Sequence, residues 1–340
     1  MARPTIKDLA KAADVSVATV NRVLAGAENV RLATRQHVQN VAARIGFYGL
    51  GAIQSRVAAS RPKLRLGALL LQPHRPFYKN LAQTLREAAA ARADVDIDLR
   101  IDFIEDLSPQ NTADHAKDLA RHCQAVGIVS AVHPIVTEAI NEIERSGVKV
   151  FSLVAPMSST GQIPYIGLDN WKLGRTAAWG FAHLCRTPGK IGILVGNPRY
   201  RNQEMTEAGF RSYLREFAPD LSLLEPQSTF ESAAVAQEIT EHLLVKHHDL
   251  AGLYVNGGGV SGAIEAVRAQ GKSGKLTMIG HDLTDTTRSA LLDDTLTILM
   301  SHSLDRFGLE AIDAMVSALQ GSHRNLNRII PFEVLTRENL

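Results

Sequence analysis

Through the first sixty residues apolar positions recur at helical spacing, and beyond residue 64 they fall into short runs separated by amphipathic stretches. Ile6, Leu9, Ala10 and Ala13 share one face of a helix over about 6–13, with Thr5 placed to cap it and Asp8 in its first turn. Asp14-Val15 supplies the turn, since Asp tolerates a left-handed backbone at some cost relative to Gly. Ser16 then caps a second helix from Val17 to about Leu24, with Val20, Val23 and Leu24 facing inward alongside Val15. Val17, Ala18, Asn21 and Arg22 face outward. A third helix over about 32–45 packs through Val38, Val41, Ala42 and Ile45 and ends at Gly46. This pattern predicts a three-helix unit containing a helix-turn-helix.

The rest of the chain alternates. Strands are expected near 64–72, 96–104, 126–132, 148–154, 190–196, 221–227, 251–256, 275–281, 296–302 and 329–335. Helices lie between most of them, for example 79–92, 172–186, 202–217, 232–247, 260–270 and 303–319. Such alternation predicts an α/β body of parallel sheets covered by helices. Ten strands exceed one comfortable sheet, and Tyr165–Asn170 reads as a crossing between two lobes.

Charge sharpens the division. Residues 1–63 hold ten Lys/Arg against three acids, a balance of +7, and the chain total of +2 leaves −5 for residues 64–340. A basic head on a mildly acidic body is the footprint of a protein with one end on phosphates. Cys123 and Cys185 are isolated, without the spacing of a zinc or redox site, and suit a reducing cytosol. His242, His247 and His248 likewise lack metal-ligand spacing, so no metal is expected. The amino end lacks an apolar signal core, and no stretch approaches the roughly 18 apolar residues of a membrane span. The expectation is a soluble, cytoplasmic protein with no membrane partner.

The outward face of the second helix suits a major groove. Arg22 has the reach and the fork to bond a guanine bidentately, while Val17 and Ala18 offer apolar contact to thymine methyls. Thr5, Ser16, Thr19, Asn21, Asn29 and Thr34 are short donors suited to phosphates. The segment Thr5-Ile6-Lys7-Asp8-Leu9-Ala10, followed by Val15-Ser16, Thr19-Val20-Asn21-Arg22-Val23-Leu24, Thr34-Arg35 and Ile45-Gly46-Phe47, resembles the headpiece of lactose-repressor-family regulators. Asp14 stands where that family usually has Gly, and Asn21 where it usually has Ser. The resemblance implies a hinge helix whose apolar residue wedges into the minor groove. A short helix over about 52–59 offers Ile53 and Val57, one turn apart, for that role.

The body, 64–340, is similar to the two-lobed, type I periplasmic-sugar-binding-protein fold that the same family uses as its effector domain. The implied divisions are a headpiece at 1–48, a hinge at 49–63 and an effector-binding and dimerisation domain at 64–340. Its N-lobe would be 64–168 plus 303–322, and its C-lobe 169–302 plus 323–340. Ligands in open α/β sheets bind beyond the carboxyl ends of strands. Those positions hold Pro76-Phe77-Tyr78, His133, Asp169-Asn170-Trp171, Asn202, Gln203, Glu204, Phe230, Asn256, His281-Asp282 and His302. Aromatic faces with amides, carboxylates and imidazoles suit a neutral polyhydroxylated ligand. The resemblance implies that Phe77 stacks on it and that Asn256, Asp282 and His302 meet its hydroxyls. It also places Glu204 where many relatives have a sugar-binding Arg, an argument against an anionic effector.

One motif points elsewhere. Gly257, Gly259 and Gly262 follow a strand and open a helix, and Asp282 lies twenty residues further on, the spacing of a dinucleotide-binding fingerprint. It comes after several strand–helix units, has no catalytic partners, and leaves the basic head unexplained. The sequence therefore predicts a cofactor-free transcriptional regulator, a repressor, binding near-palindromic double-stranded operator DNA as a homodimer and answering to a carbohydrate. An NAD-dependent oxidoreductase and a transport-type sugar-binding protein are the alternatives.

Overall fold

The computed structural model describes residues 3–27, 29–185, 188–322 and 325–340. Close contacts divide the chain into two units: one runs from the amino end to Arg65 and takes in Ala90–Asp98, and the other comprises Leu66–Ala89 and Leu99–Leu340.

The head has four helices: α1 (Ile6–Ala12), α2 (Val17–Ala25), α3 (Leu32–Ile45) and α4 (Leu50–Ala59). Thr5 and Asp8 cap α1 reciprocally, and Ser16 caps α2 by accepting from the Thr19 N–H at 3.1 Å. Asp14 takes the left-handed turn between them, at φ 52°. Leu9, Val20, Val23, Val38 and Phe47 close the core. Ile53 and Val57 belong to that core, at 0% and 1% exposure. They share one face of α4 with Leu50, and that apolar face buries itself against the other helices. Neither side chain is free to wedge between base pairs in this arrangement, which corrects the expectation placed on them.

The body's first lobe is built from β1 (Lys63–Leu71), α5 (Pro76–Ala91), β2 (Asp96–Ile104), α6 (Pro109–His122), β3 (Ala125–Ile128), α7 (Pro134–Arg145), β4 (Lys149–Leu153) and β5 (Tyr165–Leu168). The second follows with α8 (Asn170–Leu184), β6 (Gly189–Val195), α9 (Arg201–Phe217), β7 (Leu221–Leu223), β8 (Gln227–Ser228) and α10 (Ala233–Lys246). It continues through β9 (Leu250–Asn256), α11 (Val260–Ala269), β10 (Thr277–His281), α12 (Asp285–Leu292) and β11 (Ile298–His302). The chain then returns with α13 (Leu304–Leu319) and β12 (Arg328–Ile330), and ends on β13 (Phe332–Leu335). The sheet orders are β12-β5-β4-β3-β1-β2 and β13-β11-β10-β9-β6-β7, with β8 beside β6. The central strands are apolar on both faces, as helix-covered parallel sheets require.

Two expected strands divide. The 221–227 run becomes β7 and β8, and the 329–335 run is broken at Pro331, which has no N–H for a ladder. β12 lies parallel to β5 in the first sheet, while β13 lies antiparallel to β11 in the second. The last crossing between lobes is therefore at Pro331, and residues 325–330 belong to the first lobe rather than the second. The expected residues 186, 323 and 324 lie outside the described residues. No helix among the described residues is long and apolar enough to cross a membrane.

Bare backbone brings the second-lobe helices together. A Cβ on Gly174 of α8 would stand 1.9 Å from the Thr206 carbonyl oxygen of α9. A Cβ on Gly262 of α11 would stand 1.8 Å from the Ala233 carbonyl oxygen of α10. These close approaches pair α8 with α9 and α10 with α11, and the amino ends of all four border one rim.

Candidate functional site

That rim faces a cavity of about 650 Å³ between the lobes, within the range of small-molecule sites. The first lobe contributes Gln72 and Arg75 from the β1–α5 turn and Phe77 and Tyr78 from the first turn of α5, and the second contributes Asn170, Gln203, Phe230, Asn256, Asp282 and His302. Phe77 packs its ring against His302, with centroids 5.1 Å apart. Phe230 is 71% exposed at the rim, a large apolar face left open to a guest.

The polar groups are held by one another. Arg75 Nη1 lies 2.7 Å from Glu231 Oε2 across the cleft, a close ionic contact in which that nitrogen lacks an aligned hydrogen-bond acceptor. Gln203 Nε2 donates to Glu231 Oε1 at 2.9 Å, and Gln203 Oε1 accepts from the Asn197 N–H. Asn256 Nδ2 donates to the Gln203 carbonyl at 2.8 Å. Asp282, at φ 64°, accepts from His302 Nδ1 at 2.6 Å and from the His302 N–H at 3.2 Å. Burial works to raise the Asp282 carboxyl, but the attraction and hydrogen bonding of His302 outweigh it, and the group stays below the usual carboxylate range. Burial pushes the His281 imidazole down to about 4, so it is neutral at physiological pH and shares a 2.9 Å hydrogen bond with Tyr254. Among the described residues no group of three or more His, Cys, Asp or Glu is placed to hold a metal ion.

On the head, Val17, Ala18, Asn21 and Arg22 are exposed along α2, while Val20 and Val23 are buried on its far side. Thr5, Ser16 and Asn29 are exposed, and Thr19 and Thr34 are half-buried. Arg35 does a different job. It is buried, donating from Nε to the Val30 carbonyl and from Nη2 to the Ala27 carbonyl, both at 2.8 Å. With Arg56, which donates to the Ala25 carbonyl, it covers the electronegative end of α2 and the turn that follows.

A sequence profile of bacterial regulatory proteins of the lacI family matches residues 5–49, and one of the periplasmic binding protein domain matches residues 71–323. The chain belongs to the periplasmic-binding-protein family and carries a lacI-family head. Catabolite control protein A of Priestia megaterium is 31% identical over 167 residues, 48% of this chain and 47% of that protein, so the match spans about half that relative's length. The HTH-type transcriptional regulator reg1 of Streptomyces lividans is 25% identical over 243 residues, 70% of this chain and 64% of that protein. In fold, the periplasmic-binding-protein body resembles an ABC transporter solute binding protein of Agrobacterium vitis, solved with α-D-tagatopyranose. The TM-score is 0.74 at 19% identity, covering 81% of this chain and 95% of that one.

Of the expected cleft residues, Phe77, Tyr78, Phe230, Asn256, Asp282 and His302 line the cavity, as do Asn170, Asn202, Gln203 and His281. Three do not. His133 caps α7, its Nδ1 accepting from the Ile135 N–H, and faces a separate, smaller cavity. Asp169 is used as the cap of α8, accepting from the Lys172 N–H at 3.1 Å. Glu204 is exposed on α9, because the helical period turns Gln203 and Thr206 inward instead. It therefore says nothing about the charge of a guest. Trp171 is 42% exposed and outside the cavity wall.

Arg75, Glu231 and Gln72 escaped the sequence. Arg75 and Gln72 flank the same strand end as Phe77 and were legible there, whereas Glu231 is aimed inward only by a left-handed φ of 62°. The glycine fingerprint does lie between β9 and α11, yet Gly262 serves helix packing, and the Glu231 carboxylate occupies the space over Gly258. A pyrophosphate there would meet a like charge.

Proposed function

We propose that the protein is a sequence-specific DNA-binding transcriptional repressor whose operator affinity is set by a small sugar or polyol held between its lobes. The observation that carries the reading is the exposed face of α2, where small residues surround a single arginine on a basic head. Arg22 reads a base edge, Val17 and Ala18 fit the groove, and Thr5, Ser16, Thr19, Asn21, Asn29 and Thr34 fix register on phosphates. One head buries too little surface for tight specific binding, so two act together as a homodimer on a near-palindromic site.

The cleft supports the control. Its aromatic rings, amides and carboxylate match the hydroxyls and C–H faces of a carbohydrate, and the solute binding protein of similar fold was solved with a sugar. A lobe movement on filling the cleft shifts operator occupancy tenfold with only about 1.4 kcal/mol of differential affinity between states.

The test is retention of promoter fragments over scrambled competitor, with and without a panel of sugars. Asp282→Ala should abolish the response to sugar while leaving operator affinity in place. No preference for any fragment, with or without sugars, would sink the reading; unchanged sugar affinity in Asp282→Ala would remove that residue from the site.

A further inference from the structure

The charged groups of the cleft are paired within it, Arg75 Nη1 by an ionic contact without hydrogen-bond alignment, and two neutral acceptors beside them have no partner. Arg75, reaching from the first lobe, meets Glu231 of the second at 2.7 Å. The Asp282 carboxylate already receives two hydrogen bonds from His302. By contrast, Gln72 Oε1 and Asn202 Oδ1 are buried acceptors on the cavity wall with no partner. Buried acceptors without a donor are costly, and these two call for hydroxyls.

We propose that Glu231 is an internal counter-anion that masks Arg75 and makes the cleft select uncharged ligands over their acidic counterparts. This deepens the carbohydrate reading above and rests on it. An acidic sugar needs the Arg75 guanidinium, the fork that best matches a carboxylate. To reach it the acid must come within a few ångströms of the Glu231 carboxylate, in a site where water screens little. Nor can Glu231 swing aside. Its side chain is 5% exposed, Gln203 Nε2 holds Oε1, and its backbone stands at φ 62° beside Phe230 at φ 51°. The carboxylate rests on two bare glycines: a Cβ on Gly196 would come within 1.8 Å of Oε1, and one on Gly258 within 2.1 Å of Oε2. The mask is built into the wall rather than floating in it.

The same geometry contains a latent acid site. Arg75 Nη1 lacks an aligned acceptor even with Glu231 alongside. Neutralising Glu231 without changing its shape leaves the guanidinium in place and free for an incoming carboxylate.

The experiment is calorimetric titration of the full-length protein with aldopentoses and aldohexoses, each paired with its aldonate. The unaltered protein should bind a neutral sugar at least about tenfold more tightly than the matching acid. Glu231→Gln should shift that ratio toward the acid by about tenfold or more, and Arg75→Met added to Glu231→Gln should remove the gain. Equal affinity of the unaltered protein for a sugar and its acid overturns the proposal, and that ratio decides alone if the variant does not fold. An unchanged ratio in folded Glu231→Gln overturns it as well. In either case the carbohydrate reading survives, whereas absence of binding to every sugar and acid defeats both.

Discussion

The face of the head proposed to read DNA comes from one short stretch of α2, Val17 to Arg22, whereas the cleft gathers its wall from turns scattered between Gln72 and His302. On α2 a single periodicity decides which side chains face out, so the exposed set and the buried set follow from spacing alone. In the cleft the choice is made separately at each turn, often between neighbours. Asp169 is consumed as a helix cap and Asn170 lines the cavity. Glu204 turns to solvent while Gln203 turns in. A helical face is a property of one element; a cleft is a property of how elements are packed.

The largest expected effect tests that packing. Gly174→Val forces side-chain atoms against the Thr206 carbonyl, a backbone oxygen that cannot rotate away. Overpacking against backbone should cost about 3 kcal/mol or more. Both tryptophans, Trp171 and Trp179, lie on α8 in the second lobe, so their fluorescence follows the body and not the head. The tryptophan unfolding transition should fall sharply in temperature and in denaturant midpoint. An unmoved transition would mean that α8 and α9 do not meet at this glycine.

Most of the fold was legible in advance because both periodicities were clean. Strand–helix alternation located the sheets, and the caps at Thr5 and Ser16 placed the head's first two helices. What escaped depended on backbone handedness or on a competing partner. Glu231 is aimed by a left-handed φ that non-glycine residues seldom adopt, and no residue type announces it. The resemblance implies a wedge role for Ile53 or Val57, but the spacing that aligns them on one face also suits that face to burial. The resemblance to a known headpiece suggested the role, and the local packing removed it from this arrangement.

Within the head the comparison turns on two arginines. Arg35→Met keeps much of the side-chain volume but strips donors from the buried carbonyls of Ala27 and Val30. Leaving such groups unpaired should destabilise the head by about 2 kcal/mol. Amide hydrogen exchange in α3 should quicken while the tryptophan transition stays where it is. DNA binding should fall evenly across sequences, because fewer heads are folded rather than because one contact is lost. Unchanged exchange in α3 would show that the two carbonyls find other donors.

Arg22→Ala should do the reverse and is expected to be the subtlest. Arg22 is exposed on α2, and its removal uncovers no buried group. Exchange in the head and the tryptophan transition should both stand still. If its fork reads a base, discrimination at one operator position should drop by about 1–3 kcal/mol, with binding to other positions unaffected. A base contact adds little to counterion release, so the dependence on salt should barely change, whereas loss of a phosphate contact lowers the salt slope by about one. A uniform loss of affinity with a shallower slope would therefore reassign Arg22 from reading the sequence to gripping the backbone, and only the apolar contacts of Val17 and Ala18 would be left to distinguish bases on α2.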